Sequence, residues 1–247
     1  MHALYNFDFL ETISKQLQES LDGLVISVLN TEAIADLSRF QVQHKRRQGV
    51  YVIHYDGLPR YIGKADNVAD RLSQHFRKLI GRQNISPESI GYKCLILDSS
   101  MSTAANEKLL ISRYKKVHGE MWNGRGFGPK DPGRERDTTA PNYFDGAYPI
   151  RLDLNLEGIE DETTLLEAAE KMKSGLPYVF RFNLGDRRDD VINLKGVPRT
   201  PDHLLQALID RLGNGWRGAI LSYGLVFYPN VKNYRFGLNI DPRHADL

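Results

Sequence analysis

The sequence predicts an α+β protein with a β-β-α-β-α segment in its middle, a helical segment before it and a second α+β region after it. Three observations carry this. Apolar residues recur with period two in some stretches and period 3.6 in others, and neither pattern dominates the chain. With 41% apolar and 26% charged residues and no low-complexity block, the chain can bury a core. At 247 residues it exceeds the roughly 150 of a usual domain, and its character changes beyond Pro141. The expected division is a helical segment over 1–44, a central domain over 45–148 and a C-terminal α+β domain over 149–247.

Phe9–Leu21 carries apolar residues at 9, 10, 13, 17 and 21, one face of an amphipathic helix. Thr31 followed by Glu32 reads as the cap of a short second helix running to Leu37. Val50–Tyr55 is strand-like, Asp56-Gly57 is a hairpin turn signal, and Pro59–Ile62 returns as a second strand. Residues 63–67 break the pattern before a helix that keeps Val68, Leu72, Phe76 and Leu79 on one stripe. Tyr92–Leu97 is a third strand, and Thr103 to about Val117 a second long helix ended near His118-Gly119. Trp122–Asp137 is rich in Gly, Pro and Arg and has no period; such a stretch in a compact domain is usually functional or disordered. In the last third, strands are expected at Pro149–Leu154, Tyr178–Phe182, Trp216–Leu221, Leu225–Tyr228 and Tyr234–Ile240. Helices are expected there at Glu162–Met172 and Pro201–Leu212.

Composition excludes several classes. No apolar run approaches the roughly 20 residues of a membrane span. The N-terminus has acids where a secretion signal carries a basic start and an apolar run, so a cytoplasmic, soluble protein is expected. The single cysteine, Cys94, allows no internal disulfide and no cysteine zinc cluster. No phosphate loop with the required Gly and Lys spacing is present. The net charge of +2 hides an uneven distribution: −4 over residues 1–35, +8 over 36–151 and −2 over 152–247. A basic middle between acidic ends suits a localised polyanion site.

Individual residues in this middle segment are ordinary. A strand tyrosine usually packs a core, and Tyr51 and Tyr61 share a side only if the hairpin register allows it. Lys64 follows the second strand as a loop cation. Arg71 and His75, four apart, share a polar edge of the helix about 100° from the Leu72/Phe76 stripe. Glu107 lies on a face with Leu110, Ile111 and Tyr114, where a carboxylate is costly unless paired with an arginine or bound to a cation. Asn123 stands at the mouth of the irregular stretch, whose glycines permit close approach of a ligand and whose cations offer phosphate donors. Phe127 is expected to anchor that loop.

Order and spacing are more specific than any one residue. Gly49-Val50-Tyr51, Tyr61-Ile62-Gly63 with its tyrosine ten positions on, Arg71-x-x-x-His75, a helical Glu107 and then Asn123 together resemble the GIY-YIG nuclease superfamily. The run from Arg60 to His75 also looks like the nuclease half of the UvrC repair excinuclease, where tyrosine is usual in place of His75. Histidine there, followed by Gly-Phe-Gly-x3-Pro-Gly-x2-Arg, is closer to the type II restriction endonucleases of the superfamily that cut CCGCGG. The resemblance covers about residues 45–140. The chain departs from that group in its minimal hairpin turn and in a Glu107-to-Asn123 interval about one helical turn longer.

The resemblance implies a metal-dependent endonuclease acting on double-stranded DNA. Glu107 would be the protein ligand of one divalent ion, Mg²⁺ with Mn²⁺ as a substitute; a hard cation that keeps most of its waters needs few protein ligands. Arg71 would brace the non-bridging phosphate oxygens, Tyr61 would orient the scissile phosphate, and Asn123 would fix the phosphate or a bound water. Lys64 joins this set as a cation favouring a phenolate. The general base is Tyr51 or His75, with Tyr51 preferred and His75 activating it. Lys45, Arg46, Arg47, Arg125, Lys130, Arg134 and Arg136 are candidates for DNA contacts. Cutting both strands of a palindrome implies a homodimer and, in a restriction system, a cognate DNA methyltransferase. Residues 149–247 would serve target recognition or dimerisation. The alternatives are a structure-specific or nonspecific nuclease of repair or mobile DNA, and a DNA-binding or interaction module whose nuclease frame is unused.

Overall fold

The computed structural model describes residues 2–4, 6–128, 133–229 and 232–243. The chain forms two compact units, one of residues 1–80 and 85–128, the other of 81–84 and 129–247. This division differs from the expected one twice. The helical N-terminus shares a core with the central strands, and the break follows Gly128 instead of Tyr148. The second difference has a physical cause: Asp137 and Asp145 are buried, and their guanidinium and hydroxyl partners belong to the second unit.

The first unit opens with α1 (Phe9–Asp22), β1 (Ser27–Val28) and α2 (Thr31–Gln43). Here α2 is a full turn and more longer than expected, and its cap is Asn30, whose side chain accepts the Ala33 N–H at 2.8 Å. The hairpin follows as β2 (Gly49–Tyr55) and β3 (Leu58–Ala65), then α3 (Val68–Ile80) and, after a short 3₁₀ turn, β4 (Ile90–Ile96). Gly63, Lys64 and Ala65 continue β3, pairing with Tyr51, Val50 and Gly49, and do not break it. The expected second long helix is two helices, α4 (Ser99–Ala104) and α5 (Glu107–His118), because the Asn106 side chain turns back to cap α5 at Leu109 N–H. The four antiparallel strands run in the order β1-β4-β2-β3. On one face Val50, Val52 and Ile62 pack with Leu17 and Leu21 of α1 and Leu110 and Tyr114 of α5. An Arg113–Glu11 ion pair and a Tyr114–Asp22 hydrogen bond of 2.9 Å tie α5 to α1. The opposite face carries Tyr51, Ile53 and Tyr61.

In the second unit a 3₁₀ turn (Arg134–Thr138) and α6 (Tyr143–Ala147) precede β5 (Glu162–Thr164), α7 (Leu165–Gly175), β6 (Val179–Phe182) and β7 (Val191–Asn193). There follow α8 (Pro201–Leu212), β8 (Arg217–Leu221), β9 (Gly224–Tyr228) and β10 (Gly237–Ile240). Pro149–Leu154 is not a strand; only Ile150 bridges to Arg82, and the segment crosses as irregular chain. The sheet order is β10-β8-β9-β6, with β6 parallel to β9, while β5 and β7 form a separate ribbon. One core joins α7 and α8 through Met172, Leu205 and Leu208 to Phe227. A second cluster holds Tyr223, Val226, Tyr228 and Tyr234. Among the described residues no helix is long and apolar enough to cross a membrane.

Candidate active site

The hairpin register decides whether the two tyrosines meet. Next to the two-residue turn, Tyr55 faces Leu58 and His54 faces Pro59, a phase that would put Tyr61 opposite Val52 and on the wrong side of the sheet. An irregularity between Ile53 and His54 leaves Arg60 as the extra residue, so Tyr61 lies opposite Ile53 and Tyr51 opposite Gly63. Both tyrosines then share one face as diagonal neighbours, with ring centroids 6.2 Å apart. Gly63 is required here, since a Cβ at that position would collide with the Tyr51 hydroxyl.

His75 of α3 completes the cluster. Its Nε2 lies 2.8 Å from the Tyr51 hydroxyl, and its ring centroid is 5.1 Å from that of Tyr61. The expected polar edge is therefore only half right. His75 is 4% exposed and sits on the buried stripe with Val68, Leu72 and Leu79, whereas Phe76 is only partly buried. Arg71 remains on the rim, half-buried, with Nη1 3.2 Å from the Gln74 side-chain oxygen. Glu107 is the first residue of α5, where its charge complements the helix dipole. It is half-buried, and among the described residues its carboxylate makes no hydrogen bond or ion pair.

Electrostatics tie these groups together. Burial, then the adjacent Tyr61 and the Glu107 carboxylate, hold the Tyr51 phenol far above its ordinary range, and Arg71 opposes them. Tyr61 is raised by burial and by Glu107, and Arg71 again opposes. His75 is lowered to about 3 by burial, then by Arg71 and Lys78. At neutral pH the pair is a phenol against a neutral imidazole.

The irregular loop closes over this face. Phe127, 1% exposed, stacks on His75 with centroids 4.8 Å apart and meets Tyr61 edge-on at 5.0 Å. Gly128 adopts a φ of +95°, and a Cβ there would come within 2.6 Å of the Tyr61 hydroxyl. Lys78 lies over the Phe127 ring at 5.0 Å and donates to the Gly126 carbonyl at 3.4 Å. Sequence reasoning missed Lys78, although it lies three residues beyond His75 and seven beyond Arg71, on the same side of α3.

Two expected catalytic residues make structural hydrogen bonds. The Asn123 amide accepts from the Ile62 N–H at 3.0 Å and donates to the Ile62 carbonyl at 2.7 Å. β3 is a sheet edge, so those backbone groups need a partner, and the 4% exposed Asn123 supplies both halves. Lys64 directs its ammonium to the Ser102 and Ala105 carbonyls at the end of α4, the latter at 3.2 Å, as a C-terminal helix cap.

The expected DNA contacts also divide. Lys45, Arg46 and Arg47 are exposed and line an open cleft of about 390 Å³ with Asp66 and Asp98. Arg125 is paired with Glu120. Lys130 lies outside the described residues. Arg134 and Arg136 belong to the second unit: Arg136 pairs with Asp145 and covers Tyr223, and Arg134 lies over Tyr228. Fold and site together define a mixed α+β protein with a buried tyrosine–histidine pair whose phenol feels charges of opposite sign from Arg71 and Glu107. Compared with models of known families and with curated proteins, the chain matches none.

Proposed function

We propose that the chain is a Mg²⁺-dependent endonuclease of the GIY-YIG type that hydrolyses phosphodiester bonds in double-stranded DNA, cutting at defined sites as restriction enzymes do. The observation that carries this reading is the buried Tyr51–His75 contact of 2.8 Å beside Tyr61, with the charges of Arg71 and Glu107 acting on both phenols. Neither a packed core nor a simple binding surface needs a neutral acceptor, two phenols and both charges in one place.

The donor set fits a hard divalent ion. Among the described residues no three His, Cys, Asp or Glu side chains converge, so Glu107 would hold the ion alone, with water completing its shell. When bound, the ion supplies positive charge for the phosphate oxygens and acidifies water. The chain's own residues do the rest. His75, neutral at working pH, accepts a hydrogen bond from the Tyr51 hydroxyl at Nε2 and fixes its direction, but lowered to about 3 it is too weak a base to remove the phenol proton. Tyr51 would take a proton from the attacking water as a phenolate, a form reached by release of its own proton to water under the positive charge of Arg71 and of the bound ion. Arg71 favours that phenolate and braces the non-bridging oxygens of the phosphate. Tyr61, held between Phe127 and Gly128, orients the scissile group. Two active sites are needed for a double-strand break, so a homodimer acts at a palindromic target.

Incubation of unmethylated plasmid with protein and Mg²⁺ tests the reading. Discrete fragments that vanish with EDTA are expected, with 5′-phosphate ends. A smear would leave a nuclease without site specificity. DNA bound tightly but uncut would overturn the catalytic reading.

A further inference from the structure

We infer that Arg134 and Glu135 are a base-reading pair, in which the guanidinium donates to guanine and the neighbouring carboxylate accepts from a cytosine amino group. The inference rests on the proposed DNA substrate and assigns target reading to the second unit. Arg134 lies over the Tyr228 ring, its guanidinium carbon 3.9 Å from the centroid. A guanidinium held over a ring loses rotamer freedom while its N–H fork stays available to a bidentate acceptor pair such as guanine O6 and N7. Among the described residues Arg134 has no ion pair or hydrogen bond beyond this stack, and the exposed Glu135 has none.

The turn that presents them is pinned from below. Asp137, buried, accepts from the Tyr223 hydroxyl at 2.7 Å, the Tyr228 hydroxyl at 3.1 Å and the Arg181 guanidinium. Tyr228 thus supports Arg134 with its face while its hydroxyl anchors the same turn. The neighbouring arginines of this unit are engaged elsewhere: Arg136 with Asp145 and Arg181 with Asp137. Glu135 argues against a phosphate clamp, because a carboxylate beside the arginine repels phosphate yet matches the N4 donor of cytosine. A donor fork and an acceptor on one braced turn complement a G·C step.

The test uses the full chain with Mg²⁺. Cleavage of a randomised duplex library first defines the wild-type site, and the same library is then cut by Arg134→Ala, Arg134→Lys and Glu135→Gln. Arg134→Ala is expected to lose roughly 10–100-fold in cleavage of the wild-type site and its preference at one G·C position, with the salt dependence of binding unchanged. Arg134→Lys keeps charge over the ring and should not restore the preference. Glu135→Gln should relax a cytosine position. Uniform weakening across sequences with a salt slope lower by about one would make Arg134 a phosphate contact and overturn the inference, as would unaltered preferences. Wild-type protein that cuts at random positions would sink base reading while leaving the nuclease standing. Wild-type protein that neither binds nor cuts DNA would remove both.

Discussion

Tyr51 and Asn123 are both buried and uncharged, yet removing their polar atoms should have opposite consequences. Tyr51→Phe keeps the ring over Gly63 and deletes the hydroxyl that meets His75. Turnover is expected to fall by roughly 10²–10⁴-fold with little change in melting temperature; near-wild-type cleavage would exclude Tyr51 as the base. Asn123→Ala strips both partners from Ile62 on an edge strand, which costs about 1–3 kcal/mol for each buried group left unmet. Its signature is a lower melting temperature with turnover per folded molecule largely kept. Loss of turnover in a fully stable Asn123→Ala protein would return this residue to the chemistry. Glu107→Gln leaves the α5 start in place and removes the charge, so Mg²⁺-dependent cleavage should disappear while the fold persists. If Glu107→Gln cleaved as the wild type does, the ion would have to sit elsewhere.

At the scale of elements, the two glycines around the phenols set the geometry. Gly63→Ala places a methyl group against the Tyr51 hydroxyl, and the ring can escape only by leaving His75. The strand tolerates alanine in extended backbone, so the expected result is a large drop in turnover with a smaller drop in stability, read by kinetics beside a thermal melt. Equal activity in Gly63→Ala would mean the ring has no fixed place. The same hairpin shows what the sequence could and could not disclose. Strand periods, the Asp56-Gly57 turn and the amphipathic helices follow from local spacing, and their elements stand close to the expected positions. The face that Tyr61 occupies does not. Counting back from the turn puts it opposite Val52, and the extra residue at Arg60 reverses this. The Arg60 carbonyl is met by the Trp122 N–H at 2.6 Å, a contact 62 positions along the chain that no local pattern encodes. For the same reason Asn123 and Lys64 read as site residues: their acceptors, at Ile62, Ser102 and Ala105, are fixed by tertiary packing. The missed β5–β7 ribbon is two three-residue strands, too short to establish a period.

For the molecule as a whole, buried histidines make stability depend on pH in a stated direction. His75 titrates at about 3 because of burial, Arg71 and Lys78, and His54 at about 4 because of burial and Lys93. In the unfolded chain both return to about 6.5. Above that value folded and unfolded states are both neutral, and neither histidine alters stability. Between about 6.5 and 4 the unfolded state binds more protons at both positions, so stability falls as the pH is lowered, by at most about 1.4 kcal/mol per pH unit for each histidine. Below about 4 only His75 still contributes to this decline, which ends near 3. Urea-unfolding midpoints should therefore be flat from pH 8 to 7 and fall steeply from 6.5 to 4.5. His54→Gln, away from the phenols, should shallow the fall without touching cleavage at pH 7.5. His75→Gln should shallow it as well, and it should also lower turnover, because the imidazole acceptor that fixes the Tyr51 hydroxyl is lost. A wild-type midpoint that holds steady down to pH 4.5 would show that both rings are open to water. An acid slope unchanged in His75→Gln would place that ring outside the packed cluster on which the phenol chemistry depends.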